Sequence, residues 1–483
     1  MSAQTRVSAN DWGALDPPAL GTWDPRLSVS VVIPAYDAPA LPWVLAGLAA
    51  QSYPGHLLEV VVVDDSPGPE LTLPDVRPER TRVVKTQHGW GPGAARQTGA
   101  ETAEGDVLHW LDADMVPGRH EVEAHLRWHH LIDYAVVLGD KSFTDADALA
   151  GLDPQALQAA LAGGTPLAEL ARRPIDTRNW IETVLAETDG LRAAGPRAMR
   201  VHVGASASVA RSLLGATRGW PVDLVRGEDI VVGYRLREAG AVFIPDAAAH
   251  SLHLGPSTLM RDAEAVNRYT KPSLTQHVPE FRGHRLQVHR SYAVPYAEVV
   301  VPVAGTTYED VRAVVDAQLT GGIPDVVVTL VAPWSTLGDD RRPVLADPDL
   351  DLRLVQAAYA GEPRVRLVDE PSERSDATFR ATLPGTAEFP AGRGLAPLLR
   401  RMELDHLGCV DVDLAAGTAR VVRTAAHARA LRTCADAAEY ETALRACYPT
   451  DRATAADAGF VVAADAPPVK QVRGLGAWGG RSG

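Results

Sequence analysis

Pairs of acidic residues stand in this sequence at points where short apolar runs end. Asp112 and Asp114, one residue apart, directly follow the run VLHWL, and Asp64 and Asp65 close the run EVVVVDD. Carboxylate oxygens are the ligands that Mg²⁺ and Mn²⁺ prefer, and such ions keep positions open for substrate phosphates. An isolated Asp-Ala-Asp is also typical of a solvated turn or a helix cap. Because Asp112 and Asp114 follow an apolar run in a sheet whose other strand ends also carry acids, a metal site is favoured there.

A third acidic pair, Glu228 and Asp229, opens the segment EDIVVGYRLREAG, whose apolar spacing predicts a helix over 230–238. Acids in a first turn complement the helix dipole, which is one explanation for the pair. A histidine pair follows in HSLHLG, where His253 and His250 stand three residues apart. An imidazole at such a point serves either as a metal ligand or as a structural hydrogen-bonding group.

The elements that must position these residues resemble a parallel sheet. In open α/β sheets the ligand sits outside the carboxyl ends of the strands, so the acids would line one edge. A strand, a helix and a second strand within about 35 residues predict a right-handed βαβ unit. Strands are predicted at 28–34, 59–63, 81–85, 106–111, 199–203 and 241–244, with a turn-rich linker over 255–292.

The pattern begins again after the predicted linker. The segment AEVVVPVAGTTYEDVRAVVDAQL (297–319) mirrors SVVIPAYDAPALPWVLAGLAAQ, with Pro302 in the place of Pro34. Near the end, AGFVVAADAPPVKQVRGLG (458–474) mirrors AGAVFIPDAAAHSLHLG. An internal duplication of one α/β unit is the simplest explanation, and shared strand and helix patterning is the alternative.

Length and composition set the wider limits. A chain of 483 residues with 46% hydrophobic and 22% charged residues predicts a folded protein of two domains. The formal charge of −14 disfavours nucleic acid and anionic membranes as partners. Three cysteines without a CxxC predict neither a disulfide framework nor a thiolate zinc site. Without a secretory leader or a long apolar run, we expect a cytoplasmic protein with no membrane span.

Four blocks in this sequence resemble the family 2 glycosyltransferases, which use nucleotide sugars and have the GT-A fold. The blocks occur in the family's order and cover about half of the chain: SVVIPAYDAPALPWVLAGLAAQSYP, VVVVDDS, GPGAARQTGAETAEGDVLHWLDADMVPG, and VGASASVARSLLGATRGWPVDLVRGEDIVVGYRLREAG with HSLHLG. Residues 1–27, rich in Pro, Asp and Gly without periodicity, are predicted to form an N-terminal arm lying on the surface. The resemblance implies a catalytic α/β domain over 28–290 with a mostly parallel, Rossmann-like sheet. Together with the repeated pattern, it predicts a second, degenerate GT-A-like domain over 291–483.

The resemblance also implies how a donor would bind. Asp65 corresponds to the acid that pairs with the nucleobase, and the backbone around Pro34 and Tyr36 would hold the base and ribose. Arg96, in ARQTG, corresponds to a cation near the diphosphate or the base edge, and a salt bridge from its helix to the acidic edge is the alternative. The implied donor is a nucleotide-diphosphate sugar, with uridine favoured and guanosine and thymidine open.

The same resemblance assigns metal binding and catalysis. Asp114 would be the direct ligand of Mn²⁺ or Mg²⁺, Asp112 would lie nearer the ribose and sugar, and His253 would complete the metal shell. Asp229, beside Glu228, would be the general base that takes the proton of an acceptor hydroxyl on a glycan or small molecule. A single displacement of this kind inverts the anomeric configuration.

The sequence departs from the family pattern at three points. Asp37 replaces the usual Asn after IPxY, and RGWPVD (218–223) stands where GGFDE is usual. No QxxRW block follows Asp229, which disfavours a processive membrane synthase. Trp90 and Trp220 lie in turns beside the motifs and are candidates for stacking on a sugar. His125 and His129, four residues apart on a predicted helix, could bind a metal, but HLRWHH lacks the intervening acid of a zinc protease, so a helix surface is favoured.

The second copy lacks the residues that the first would use. The position of Asp65 falls near Ala332, that of His253 falls at Val472, and VDVD (410–413) is a candidate relic of the Asp-x-Asp motif. We therefore expect a non-catalytic domain that packs, binds acceptor or forms a homodimer, with a second active site as the alternative. For the whole chain, the competing hypotheses are an inactive sugar-binding or nucleotide-binding scaffold and a nucleotidyltransferase.

Overall fold

The computed structural model describes residues 4–170, 174–175, 180–285 and 290–463. Its strands in chain order are β1 Val29–Ala35, β2 Leu58–Asp64, β3 Thr81–Lys85, β4 Val107–Leu111, β5 Met115–Pro117, β6 Ala135–Thr144, β7 Pro174–Ile175, β8 Ser206–Ala210, β9 Val242–Leu254, β10 Ala297–Pro302, β11 Val326–Val331, β12 Val365–Val368, β13 Phe379–Thr382, β14 Glu388–Pro390, β15 Cys409–Leu414, β16 Gly417–Arg423, β17 Thr450–Thr454 and β18 Phe460–Val462.

The helices, numbered in the same way, surround these strands. They are α1 Leu41–Ala49, α2 Pro92–Thr102, α3 Glu121–His129, α4 Pro154–Ala162, α5 Leu167–Leu170, α6 Trp180–Glu187, α7 Arg211–Gly215, α8 Glu228–Glu238, α9 Thr258–Arg261, α10 Ala263–His277, α11 Tyr308–Leu319, α12 Leu350–Tyr359, α13 Ala396–Leu404, α14 Thr424–Thr433 and α15 Tyr440–Cys447.

The chain folds into two compact units that are not simple halves of the sequence. The first unit contains the described residues up to Val278 together with Thr424–Pro449, and the second contains the described residues of 279–423 and 450–463. The division therefore falls at residue 278, twelve residues before the predicted boundary at 290 (290 − 278), and the helices α14 and α15 belong to the first unit.

The sheet of the first unit has the order β3-β2-β1-β4-β8-β6-β9-β5, with β7 attached to β6. The first four strands of this order are parallel, β8 is antiparallel to its neighbours, and β6 is parallel to β9. The predicted α/β class with a mostly parallel sheet is confirmed. Strands β1 and β2 are apolar because helices and loops cover both of their faces, as is usual in parallel sheets.

The second unit repeats the first seven strands of this order, without counterparts of β5 and β7 in the same sheet. Its order is β12-β11-β10-β13-β16-β15-β17, again with the first four strands parallel, the fifth antiparallel and the last two parallel to each other. The equivalent strands also follow one another in the same order along the chain. An identical order and identical directions support the internal duplication.

A small residue allows the ARQTG block to pack closely on the first sheet. Gly99 of α2 lies so near β1 that a Cβ there would approach a methyl carbon of Val32 to 2.2 Å and one of Val63 to 3.2 Å. A larger residue would push α2 away from the strands. This contact sets the distance between α2 and the sheet, and thereby the position of Arg96, which lies three residues before Gly99 on the same helix.

The N-terminal segment and α14 complete the first unit. The Asn10 amide donates to the carbonyls of Leu191 and Phe243 at 3.0 and 2.9 Å, and its oxygen accepts from the Phe243 amide. Arg429 of α14 is buried and donates to the carbonyls of Gly240 and Ala241, among others. The predicted arm is therefore anchored in the unit by its buried residues Val7, Asn10 and Leu15, while its other described residues are exposed or half-buried.

Two local predictions are wrong. Residues 199–203 form the end of a 3₁₀ helix, Gly195–Val201, instead of a strand, because Gly195 and Pro196 favour a tight turn there. The linker predicted over 255–292 contains α10, a helix of 15 residues that accommodates Pro272 in its interior. The segment was predicted as a linker because its composition is charged and polar, but α10 needs apolar residues only on the one face that it buries.

Candidate active site

The turn between β4 and β5 presents Asp112 and Asp114 at the carboxyl end of the first sheet. The Asp112 amide donates to the Ala205 carbonyl at 3.1 Å, and the Met115 amide donates to the Asp112 carbonyl at 3.0 Å. These backbone bonds fix the turn and leave both carboxylates accessible, with side-chain exposures of 33% and 47%. The position is open enough for a ligand and rigid enough to bind it in one geometry.

Strand β9 brings His253 to Asp114. It pairs antiparallel with β5 so that His253 lies opposite Met115, and His253 Nε2 is 3.9 Å from Asp114 Oδ1. The imidazole packs on the Phe143 ring at 4.9 Å, which holds its orientation. His250 instead bonds Asp140 at 2.8 Å, and that hydrogen bond raises its pKa. Of the two predicted histidines, the structure places His253 beside Asp114.

Arg96 connects the Asp-x-Asp turn to the helix that begins with the second acidic pair. Its guanidinium is buried and donates to Asp112 Oδ1 at 2.6 Å and to Glu228 Oε1 at 2.9 Å. It also lies over the Trp220 ring at 5.0 Å. Arg96 thus forms salt bridges with both acids, which was the alternative to a contact with the nucleotide. These salt bridges hold the N-terminus of α8 against the end of β4.

A glycine leaves the space that this guanidinium needs. A Cβ at Gly204 would lie 2.3 Å from the central carbon of the Arg96 guanidinium, so no other residue fits without moving Arg96. Gly204 is the second residue of VGASASV, one of the blocks that carry the family resemblance. The block therefore has a packing reason for its glycine, independent of any ligand.

Burial changes the acidity of the pair that opens α8. Burial, together with the neighbouring charge of Asp229, raises the pKa of Glu228 to about 7, although Arg96 opposes the shift. Burial also raises the pKa of Asp229, against the opposing effects of Arg96 and the Ile230 amide, which donates to Asp229 at 2.8 Å. A carboxylate with a raised pKa is a better proton acceptor near neutral pH.

The two aspartates after β2 differ in what they contact. Asp64 is buried and ion-paired with Lys85 at 2.7 Å, and it also accepts from the Leu71 amide at 3.0 Å. Asp65 is half-buried and accepts from the Gly91 amide at 2.7 Å. Asp64 therefore has a structural role, and Asp65 is the one of the two that retains accessible surface at the predicted nucleobase position.

Aromatic residues near this edge differ in exposure. Tyr36, which follows β1, and Trp90, which precedes Gly91, are 65% and 68% exposed. Pro34 is half-buried within β1. Trp220, predicted as a sugar platform, is buried against Trp110 at 5.1 Å, so that prediction is wrong. Its loop folds back to support Arg96, a tertiary contact with no local sequence signal.

Sequence reasoning missed Lys141. It lies on β6, where the charges of Asp140, Asp112 and Asp229 all act on its ammonium group, while burial lowers its pKa. It is one of four lysines in the chain, whose other cations are all arginine, and that rarity was the available signal. A cation at this point suits an anionic donor.

The second sheet has no acid at the corresponding positions. Pro302 pairs with Val331 as Pro34 pairs with Val63, so the residue equivalent to Asp65 is Pro333. By the same comparison the turn after β13 contains the sequence PGTA (384–387) in place of the Asp-x-Asp turn.

Two more equivalences come from the edge strands of the second unit. Pairing of β14 with β18 places Val462 at the His253 position, and the predicted counterpart, Val472, lies outside the described residues. The VDVD segment lies within β15, which corresponds to β6, so it is not a relic of the Asp-x-Asp motif. Its Asp411 pairs with Arg420 at 2.8 Å.

Helix α3 also differs from expectation. His125 and His129, predicted on its surface, are buried and bond the Ser208 hydroxyl of β8 at 2.8 Å each. The face of α3 that carries both histidines packs on the sheet instead of facing solvent.

Part of this chain matches a known protein family. Residues 30–148, from β1 to the loop after β6, match the family model of glycosyl transferase family 2. The chain is 22% identical over 366 residues to a hyaluronan synthase of Pasteurella multocida, covering 72% of this chain and 36% of that protein. It is 25% identical over 361 residues to a chondroitin synthase of Escherichia coli, covering 71% and 50%.

The chain thus spans half or less of the length of these relatives. Among solved structures, a mannosyltransferase from Pyrobaculum calidifontis in complex with GDP-Man and Mn²⁺ aligns with a TM-score of 0.35 at 19% identity, over 57% of this chain and 68% of that one. Within the described residues, no helix has both the length and the apolar composition needed to cross a bilayer.

The sheet topology is that of an α/β domain, and residues 30–148 within it are similar to the family 2 glycosyltransferases.

Proposed function

We propose that the first unit transfers a sugar from a nucleotide-diphosphate sugar to an acceptor hydroxyl with inversion and with the help of a divalent metal. The observation that carries the proposal is the single connected arrangement at the carboxyl end of the first sheet. There Arg96 joins Asp112 of the Asp-x-Asp turn to Glu228 of α8, next to Asp229. UDP is the favoured nucleotide.

The residues present fit a divalent cation. Asp114 and His253 offer an oxygen and a nitrogen 3.9 Å apart, and His253 Nδ1 lacks a protein hydrogen-bond partner among the described residues. Mg²⁺ and Mn²⁺ take one or two carboxylates from the protein and fill their remaining positions with water and substrate phosphates. When bound, the metal would supply charge neutralisation for the departing nucleoside diphosphate.

The chain's own residues would hold the donor. Asp65 retains surface beside the exposed rings of Tyr36 and Trp90, an arrangement suited to a base that is hydrogen-bonded at its edge and stacked on its face. Lys141 would contribute positive charge on the diphosphate side, where the carboxylates concentrate negative charge. These roles predict recognition of an anionic nucleotide by an otherwise acidic edge.

Asp229 would act on the acceptor. Its carboxylate is held at the first turn of α8 by the Ile230 amide, and its raised pKa favours acceptance of the hydroxyl proton as the acceptor oxygen bonds to the anomeric carbon. Glu228 touches Arg96 and so positions α8. The second unit, with proline, valine and small residues at the equivalent places, would be non-catalytic and serve packing, acceptor binding or self-association.

Transfer to water tests the proposal without knowledge of the acceptor. The full chain is incubated with Mn²⁺ and each of a panel of α-linked UDP-sugars, and the anomer first released is observed by NMR. The proposal predicts release of the β-anomer. Release of the α-anomer would contradict inversion, and no cleavage or binding of any nucleotide sugar would support an inactive scaffold.

A matched pair of variants tests the base. Asp229→Asn should reduce turnover by about 100-fold or more, as expected when a general base is removed. Asp75→Asn, an exposed acid in the loop after β2, is the control and should leave turnover unchanged. Turnover of Asp229→Asn within a few fold of wild type would refute the assignment.

A further inference from the structure

A second group of metal-ligating side chains lies inside the first unit, apart from the exposed Asp114 and His253. His109 of β4 and Glu121 and His125 of α3 are completely buried, and one ligand atom from each lies within 4.8 Å of the others. We propose that these three residues bind a structural zinc ion that joins α3 to the sheet behind the Asp-x-Asp turn. The proposal does not depend on the transferase assignment.

The distances suit zinc. His109 Nε2 lies 3.6 Å from Glu121 Oε1, and His125 Nε2 lies 3.4 Å from the same oxygen. Ligands placed tetrahedrally at about 2.0–2.1 Å from zinc are about 3.3 Å from one another. Two of the three ligand separations are therefore close to those of a tetrahedral zinc site, and the third lies within 4.8 Å. Two imidazoles with one carboxylate form a donor set that zinc commonly takes.

Several buried polar atoms in this group lack protein partners. Neither ring nitrogen of His109 has a hydrogen-bond partner among the described residues, and the same is true of Glu121 Oε2. Within that part of the chain, the ion-pair contacts of Glu121 are with the two imidazoles, and no Lys or Arg reaches it. A buried carboxylate without a fixed cation is costly, and a divalent ion supplies the missing charge.

Neighbouring hydroxyl groups complete the arrangement. Ser206 Oγ donates to Glu121 Oε1 at 2.6 Å and bonds His125 Nε2 at 3.1 Å, so it orients the carboxylate toward the group, as is usual for carboxylates that bind a metal. Ser208 Oγ bonds His125 Nδ1 at 2.8 Å and thereby orients the ring so that Nε2 faces the group. Metal-bound histidines usually have such a partner on the second nitrogen.

The location suggests what the ion would do. His109 lies on β4, three residues before Asp112 of the following turn, and Ser206 follows Ala205, whose carbonyl accepts from the Asp112 amide. A zinc ion would brace β4, β8 and α3 directly behind the turn that presents Asp112. Its ligands have no exposed surface, so it would bind during folding and exchange slowly.

Metal content tests the proposal. The full chain is purified from zinc-supplemented cells, freed of loosely bound ions by gel filtration in EDTA, and analysed by mass spectrometry for metals. We expect about one zinc per chain, retained in Asp114→Asn and lost in His109→Leu and Glu121→Gln. His129→Gln is the control, because His129 is equally buried on α3 but lies outside the group, and it should retain zinc.

Less than about one tenth of a zinc per wild-type chain, or full zinc in His109→Leu, would overturn the proposal. If the ligand variants do not fold, wild-type protein refolded with Co²⁺ decides the matter. Visible absorption bands of four-coordinate cobalt are expected, and their absence would overturn the proposal. Transfer activity is not part of either readout, so failure of the proposed function would leave the test intact.

Discussion

The two sheets of this chain have the same strand order and differ in what stands at the ends of their strands. The first ends in Asp65, the Asp112 and Asp114 turn and His253, whereas the second has Pro333, the residues 384–387 and Val462 at the equivalent places. The two units therefore share a topology while the residues at their strand ends differ. The proposed function assigns the chemistry to the strand-end residues of the first sheet alone.

Buried charge shows a second contrast between the units. In the first, one arginine, Arg96, bridges two acids next to the accessible Asp114. In the second, one acid, Asp325, lies just before β11 and forms salt bridges with Arg282 at 2.7 Å and Arg285 at 2.9 Å. The first arrangement connects elements of the candidate site at the carboxyl ends of the strands of its sheet. The second joins segments at the amino end of β11 in its own sheet.

The largest effect is expected from the Asp-x-Asp turn. Asp114→Asn should lower kcat by about 1,000-fold, because charge neutralisation by a metal is worth several kcal/mol and each 1.36 kcal/mol is a factor of ten. Thr386→Asn, in the equivalent turn of the second unit, should leave kcat unchanged. Equal losses in the two variants, measured as nucleotide release at saturating donor, would abolish the distinction between the units.

Arg96 should matter for stability and activity together. Arg96→Met removes the partner of two carboxylates, one of them buried, and should lower the free energy of unfolding by about 3 kcal/mol, measured by urea denaturation. It should also reduce kcat. Asp325→Asn should destabilise the chain by a similar amount and keep kcat. A stable Arg96→Met variant with full activity would show that the bridge is dispensable.

A smaller loss of stability is expected when the contacts of α14 with the rest of the first unit are removed. Arg429→Met removes several charge-assisted hydrogen bonds to backbone carbonyls and should lower the free energy of unfolding by about 2 kcal/mol. A fragment ending at residue 290 lacks these contacts and should be less stable than one to which a 424–449 peptide is added. No gain from the peptide, measured by thermal unfolding, would show that the fragment is complete.

The acidic limb of the pH profile should reveal the pair on α8. Burial raises the pKa of Glu228 to about 7, so this acid binds a proton as the pH falls through about 7. Burial also raises the pKa of Asp229, so Asp229 binds its proton above the ordinary aspartate range. Protonated Asp229 cannot accept the acceptor proton. We therefore expect kcat/KM to fall about tenfold per pH unit on the acidic limb, and the fall to begin above the ordinary carboxyl range. A profile flat down to the ordinary carboxyl pKa of about 4 would contradict the assignment.

Much of the first sheet could be predicted because its signals are local. Apolar runs predicted the strands, and the acidic pairs that follow these runs predicted which residues lie at one edge of the sheet, as with Asp112 after Leu111. The features that could not be predicted depend on distant contacts. Trp220 is buried because Trp110 lies beside it, and α14 joins a unit whose sheet strands come from the first half of the chain.

The same reason explains the errors in the second unit. The VDVD segment resembled an Asp-x-Asp motif by composition, and only the pairing of β15 with β16 and β17 shows it to be a strand with Asp411 bound to Arg420. Polar residues can likewise be buried when hydroxyl groups satisfy them, as Ser208 does for His125. Composition alone cannot distinguish these cases.

The number of nucleotide sites per chain tests the central claim most directly. Full-length protein in Mn²⁺ is titrated with UDP, GDP and dTDP separately, and binding is followed by calorimetry. A single site per chain is predicted for at least one of them, absent in Asp114→Asn and unchanged in Thr386→Asn. Two sites per chain, or binding that survives Asp114→Asn undiminished, would contradict the assignment of donor and metal binding to the first sheet alone.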